Sequence, residues 1–157
     1  MFERWEYEIP KNTAEADKIL EHVEISLGVI TAVEVGFAAG CGGYDWSTNE
    51  SVMLARSRLL WKQSAIAPRS PSGYLAADDF VIRIEPMLFP ILKGEPILTW
   101  ELWNLDDTYP HELWLGINWL TKEELEKELD QMKQLGYSMQ SLTQLLATFF
   151  RIPWRPV

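Results

Sequence analysis

Three groups of residues in this chain have types that could do chemistry. The first is Cys41, the one cysteine of 157 residues, set in the run Gly40-Cys41-Gly42-Gly43. A thiol becomes a nucleophile when a neighbouring imidazole, a cation or a helix N-terminus lowers its pKa. The residues that follow, GGYDW, do not start a helix, and nothing local directs His22 or His111 at the sulfur. The same run, GFAAGCGG, lacks the Lys-Ser/Thr ending of a phosphate loop and has the wrong glycine spacing for a dinucleotide fingerprint. Its glycines suit positive φ in a turn, so Cys41 reads as a turn residue at the end of a strand.

The second group is Asp106, Asp107 and His111, which flank one turn, together with the oxygen-bearing Asp45, Asn49, Asp78 and Asp79. The first set could cluster around that turn, but an acidic turn of this kind is ordinarily just a turn, and the second lacks alternating oxygen ligands, so neither predicts a metal site. No cofactor is expected. The third group pairs carboxylates with tryptophans: Glu101 beside Trp103, and Glu112 near Trp114. Two carboxylates flanked by indoles fit sugar stacking and glycoside chemistry. A wet face carrying charge and aromatics also describes a protein–protein interface, and that reading is preferred.

The elements that must position these residues follow from periodicity. In VEISLGVITAVEVGF the odd positions from Val23 to Phe37 are apolar except Thr31, a period of two that buries one face of a strand. Gly28 splits the run into two strands. Weaker strand signals cover 52–62, and FVIRIEP places Phe80, Ile82 and Ile84 on one face, with Pro86 and Pro90 confining it to an edge. Segments 96–104 and 111–120 read as a hairpin through LDDTYP: Leu98 opposite Trp119, Trp100 opposite Ile117 and Leu102 opposite Leu115 on the inner face, with Trp103 opposite Trp114 on the wet face. Thr121 with Glu124 forms a capping box for a helix over 122–135 ended by Gly136. A second helix is expected over 139–150, and RIPWRPV is barred from helix by its prolines. Many short strands followed by helices predict an antiparallel β-sandwich of jelly-roll type with a C-terminal helical appendage. The domain limits are an N-terminal arm over 1–20, the β domain over 21–120 and the helices and tail over 121–157.

Composition narrows the partners. A net charge of −9 and a pI near 4.7 disfavour nucleic acid and anionic membrane surfaces, which need clustered Lys and Arg. A lone cysteine permits no internal disulfide. MFERWEYEIP lacks the apolar segment of a secretory signal. Eight tryptophans are an excess that suits packed cores and contact surfaces.

The order IPKNT, GVITAVEVGFAAGCGG, LLW, DDFVIRIE and WNLDDTYPHELWLGINWL resembles small structural proteins of tailed phages over about residues 9–120. The resemblance rests on turn residues and not on catalytic ones. It implies a jelly-roll subunit, of the capsid-decoration kind, that assembles on a capsid or another virion part; the C-terminal helices lie outside it. The expectation is therefore a non-enzymatic homo-oligomer, with a trimer favoured, located in the virion or in the cytoplasm of the producing cell. Trp103 and Trp114 would form an intersubunit face, and Phe149, Phe150 and Trp154 would dock the tail. The alternative is a carbohydrate-binding or glycan-processing β-sandwich using Trp103, Trp114, Glu101 and Glu112.

Overall fold

The computed structural model describes residues 1–24, 28–45, 47–61, 64–65, 73–84, 89–91, 98–134 and 136. In chain order the strands are β1 (Phe2–Ile9), β2 (Ile19–Val23), β3 (Gly28–Phe37), β4 (Gly42–Asp45), β5 (Glu50–Met53), β6 (Ala55–Trp61), β7 (Ser64–Ala65), β8 (Phe80–Ile84), β9 (Phe89–Ile91), β10 (Leu98–Asn104) and β11 (His111–Thr121). A short 3-10 turn spans Glu15–Asp17, and one helix, α1 (Lys122–Gln134), follows β11. The chain is mainly β, and every strand pairing is antiparallel.

Two sheets share one core. The first runs β1-β11-β3-β8, with β9 also pairing β3, and the second runs β2-β10-β6-β7. β4 and β5 form a separate two-stranded ribbon. Alternation along β11 points Leu113, Leu115, Ile117 and Trp119 inward, where they join Val33, Val35 and Phe37 of β3. From the second sheet come Leu98, Trp100, Leu102 and Leu59. The Trp100 indole N–H donates to the buried Ser57 hydroxyl at 2.6 Å, so its one polar atom is satisfied inside the core.

The break in alternation at Thr31 has a structural cause. Asn118 pairs with Ala32 but Trp119 pairs with Ile30, which leaves Thr31 as the extra residue of a β-bulge. The bulge reverses the phase of β3, so Ile30 and Val33 both enter the core. Thr31 Oγ1 donates across to the Asn118 carbonyl at 3.2 Å. Gly28 begins β3, and a Cβ there would lie 2.0 Å from the Leu120 carbonyl oxygen. The run it divides ends up in two different sheets.

Three expectations are corrected. The hairpin of 98–104 with 111–120 does not form: β10 pairs β2 and β6, whereas β11 pairs β1 and β3. The segment expected to be an arm contains β1, paired with β11 from Phe2 opposite Asn118 to Ile9 opposite His111. Trp5 and Tyr7 pack against the core from it. Third, Phe80 keeps the register of Ile82 and Ile84, opposite Phe37, but at the start of β8 it is exposed and not buried with them. The predicted helix over 122–135 matches α1, with its capping box formed: Glu124 N donates to Thr121 Oγ1 at 3.2 Å and Thr121 N to Glu124 Oε2 at 2.9 Å. The helix expected over 139–150 lies outside the described residues. Among the described residues, no helix is long and apolar enough to cross a membrane.

The chain passes from the second sheet to the first through residues 105–110, and buried polar side chains fix that arch. Asn104 Nδ2 donates to the Ile9 and Tyr109 carbonyls at 3.4 and 3.0 Å, and its Oδ1 accepts from Asp106 N at 2.9 Å. Asp106 Oδ1 accepts from the backbone of Thr108 and Tyr109 at 2.7 and 3.1 Å, and Oδ2 meets His111 Nε2 at 2.9 Å. Burial pushes the Asp106 carboxyl up, but those backbone N–H donors and His111 outweigh it, and the net effect is a pKa below the ordinary carboxylate value. A carboxyl depressed in the folded state contributes stability that is whole above its unfolded pKa, about 3.9, and is lost as pH falls through the folded value. Acid unfolding followed by tryptophan fluorescence should therefore set in below about pH 4. Asp106→Asn should lower stability at neutral pH and flatten that acid limb; an unchanged acid limb would count against the clamp.

Candidate functional site

Because the arch sends β10 and β11 to different sheets, it separates the two predicted Trp–Glu pairs. Glu101 and Trp103 stand on the outer face of the second sheet, and Glu112 and Trp114 on the outer face of the first. No two-carboxylate site is assembled from Glu101 and Glu112.

The outer face at β10 is covered by its own chain. Trp103 and Glu101 are buried. Lys18 Nζ and Arg58 Nη1 each reach Glu101 at 3.1 Å, and Arg58 Nη2 reaches Glu15 at 2.9 Å. The Arg58 guanidinium lies 5.3 Å from the Trp103 ring, and Tyr74 meets that ring edge-on at 5.8 Å. Arg58 Nε also donates to the Gly73 carbonyl at 2.9 Å. Trp103, expected on a wet face, is instead the floor of a polar lid, with no partner for its Nε1 among the described residues. The misreading came from the hairpin, which makes the outer side of β10 one with the outer side of β11.

The outer face at β11 is open. Half-buried Trp114 lies flat against the sheet because two strand glycines make room for it. It pairs with Gly36, where a Cβ would fall 2.0 Å from the indole, and a Cβ at Gly116 would fall 3.1 Å from its Cζ3. The Arg4 guanidinium stacks 4.4 Å from the ring centroid and pairs with Glu6 at 2.7 Å. A groove of about 540 Å³ runs beside this stack, lined by Trp114, Phe80, Val81, Arg4, Glu112 and Asp79 among others. Phe80 and Val81 are exposed, at 62% and 42%. Glu8 stands directly opposite Glu112 across the strand pair. Neither carboxylate has a cationic partner among the described residues, so like charges face each other at the rim. Of the groove residues only Trp114 and Glu112 were predicted as a site. The legible sign of the rest was Gly36 and Gly116, glycines in strand interiors.

Cys41 is no nucleophile in this setting. It is fully buried within the core. Burial, with the charge of Asp78 added, pushes its thiol up to about 11 despite a backbone hydrogen bond to Ala38. Gly40 adopts the positive φ expected of the turn, at 94°, and its N–H donates to Asp78 Oδ1 at 2.7 Å. Cys41 is thus a turn residue whose side chain seals the core. Asp45 accepts from Ser47 N and Oγ, at 2.8 and 2.6 Å, and these bonds lower its pKa. Among the described residues no three His, Cys, Asp or Glu side chains gather where they could hold a metal ion. Phe149, Phe150 and Trp154 lie outside the described residues. Compared with protein-family models, curated proteins and solved structures, the chain matches none.

Two measurements check these assignments. A thiol reagent at pH 8 should leave Cys41 unmodified in the folded protein and modify it on unfolding; rapid labelling of the native state would refute the buried thiol. Glu101→Gln should lower stability by about 1–3 kcal/mol, because it leaves Lys18 and Arg58 short of their shared partner, and unfolding in urea reads this directly.

Proposed function

We propose that this chain is a non-enzymatic, self-associating structural protein, a jelly-roll subunit of a tailed-phage virion of the capsid-decoration kind. The strand order supports the fold part of this reading. With β8 and β9 counted as one edge and the β4–β5 ribbon set aside, eight strands divide into β1-β11-β3-β8 and β2-β10-β6-β7. This is the nesting of first strand against last that two interlocked Greek keys produce. The sequence resemblance supports the virion part.

One observation carries the contact function: Phe2 and Val81 are exposed beside Trp114 on the outer face of the first sheet, and Phe80 is exposed at the edge of the same groove, on a sheet whose inner face is already buried. Clustered exposed aromatics with a guanidinium at their centre have the composition of an interface core. The contact face is therefore taken to include Trp114, Phe80 and Val81, while Trp103 serves its own fold. The acidic remainder of the surface keeps an assembly soluble.

The carbohydrate reading keeps one supporting feature, a flat indole beside Glu112 in a groove. Arg4 already occupies the outer face of that indole, where a sugar ring would stack. Light scattering separates the two readings. The expected result is a stable oligomer, a trimer favoured, dissociated by Phe80→Asp with Val81→Asp while circular dichroism stays unchanged. A strict monomer whose tryptophan fluorescence is quenched by oligosaccharides would sink the assembly reading.

A further inference from the structure

We infer that the Trp114 groove is the acceptor for the aromatic and arginine-bearing segment 149–155 of a second copy of this chain. The inference rests on the self-association proposed above and names the contact that carries it.

The acceptor side is defined by what it lacks. Its floor is apolar, made by Trp114, Phe80 and Val81, and its rim carries Glu112 and Asp79. Glu8 stands opposite Glu112 across the strand pair, and none of Glu8, Glu112 and Asp79 has an ion-pair partner among the described residues. Among the described residues the cation lining the groove is Arg4, which is committed to Glu6 and to the indole face. A fitting occupant therefore brings both apolar rings and positive charge.

The sequence supplies such an occupant in one place. All 23 acidic residues precede Tyr137, and residues 137–157 carry Arg151 and Arg155 and no acid. In this otherwise acidic protein, the segment Phe149-Phe150-Arg151-Ile152-Pro153-Trp154-Arg155 is basic and interleaves its charges with three aromatic rings. Pro153 and Pro156 each fix one φ, so a segment containing them gives up less backbone freedom when it is held in a groove. Arginine suits the carboxylates by paired hydrogen bonds, and Trp154 suits the apolar floor as an anchor. Such contacts, repeated head to tail, close a ring when the rotation permits.

The test uses the full chain and charge reversal. Glu112→Arg with Asp79→Asn disables the acceptor; Arg151→Glu with Arg155→Glu disables the donor. Each pair of substitutions should weaken association by roughly tenfold or more, as truncating a close charge pair does. Mixing the two variants should restore hetero-association, because one good groove then meets one good tail. A single chain carrying Glu112→Arg with Arg151→Glu should recover association in part. Should the first acceptor variant fold poorly, Glu112→Gln tests the same contact with a smaller effect of the same sign. If the wild type associates and neither variant weakens it, the groove–tail contact is refuted while self-association stands. If the wild type is a monomer, including one whose tail folds onto its own groove, both fall.

Discussion

The structure depends on how the chain turns at residues 105–110. Two strands with in-phase alternation can bury their apolar faces in two ways: side by side in one sheet, or face to face from opposing sheets. Both solutions send Leu98, Trp100 and Leu102 toward the same core as Leu113, Leu115 and Ile117. Polar atoms decide between them. Asn104, Asp106 and His111 are buried, and a buried polar group costs free energy unless it is hydrogen-bonded. The arch satisfies them together: Asn104 ties the β1 terminus at Ile9 to the loop, while Asp106 holds the loop backbone and His111. Thr13 joins from the other side, its carbonyl accepting from Asn104 N at 2.9 Å. The clamp thus binds three separate stretches of chain at the crossing between the sheets.

The difference between the two outer faces follows from this crossing. On the second sheet, the residues around Glu15, Lys18 and Tyr74 pass over β10 and close it off, so its outward indole becomes an interior one. The cations there have a definite task, since Glu101 so deeply buried would be costly without Lys18 and Arg58. On the first sheet no comparable segment among the described residues crosses β11. Its indole is instead accommodated by removing side chains beneath it, at Gly36 and Gly116. One face became part of the protein's own packing, and the other kept apolar surface in contact with solvent.

Much of this was legible before any coordinates. Alternation identified β3, β8, β10 and β11 with most of their core residues, though not β1, and its single fault in the run to Phe37, at Thr31, marked the bulge. Gly28 marked a strand boundary, and Thr121 with Glu124 marked the start of α1. What alternation cannot encode is the neighbour: it says which side of a strand is buried, not against which sheet. That is why the partner of β10 and the exposure of Trp103 were misread. The residues able to correct it were present, since the six-residue connection Leu105-Asp106-Asp107-Thr108-Tyr109-Pro110 is long for a tight hairpin turn. Phe80 was misread for a related reason. Period-two patterning holds in the middle of a strand and weakens at its ends, and Phe80 is the first residue of β8.

An active site needs titratable groups that are poised and reachable by substrate, with geometry that brings acid, base or nucleophile together. The buried candidates in this chain each have a prior engagement: Cys41 is sealed in the core, Asp106 and His111 hold the arch, and Glu101 is neutralised by Lys18 and Arg58. The candidates left open to solvent, Glu112 and Asp79, have no imidazole or hydroxyl partner among the described residues. They border the apolar groove beside Trp114. Among the described residues these chemistry-bearing groups do not converge on one another, and the face around Trp114 is where the fold leaves aromatic surface uncovered and where the proposed contact is placed.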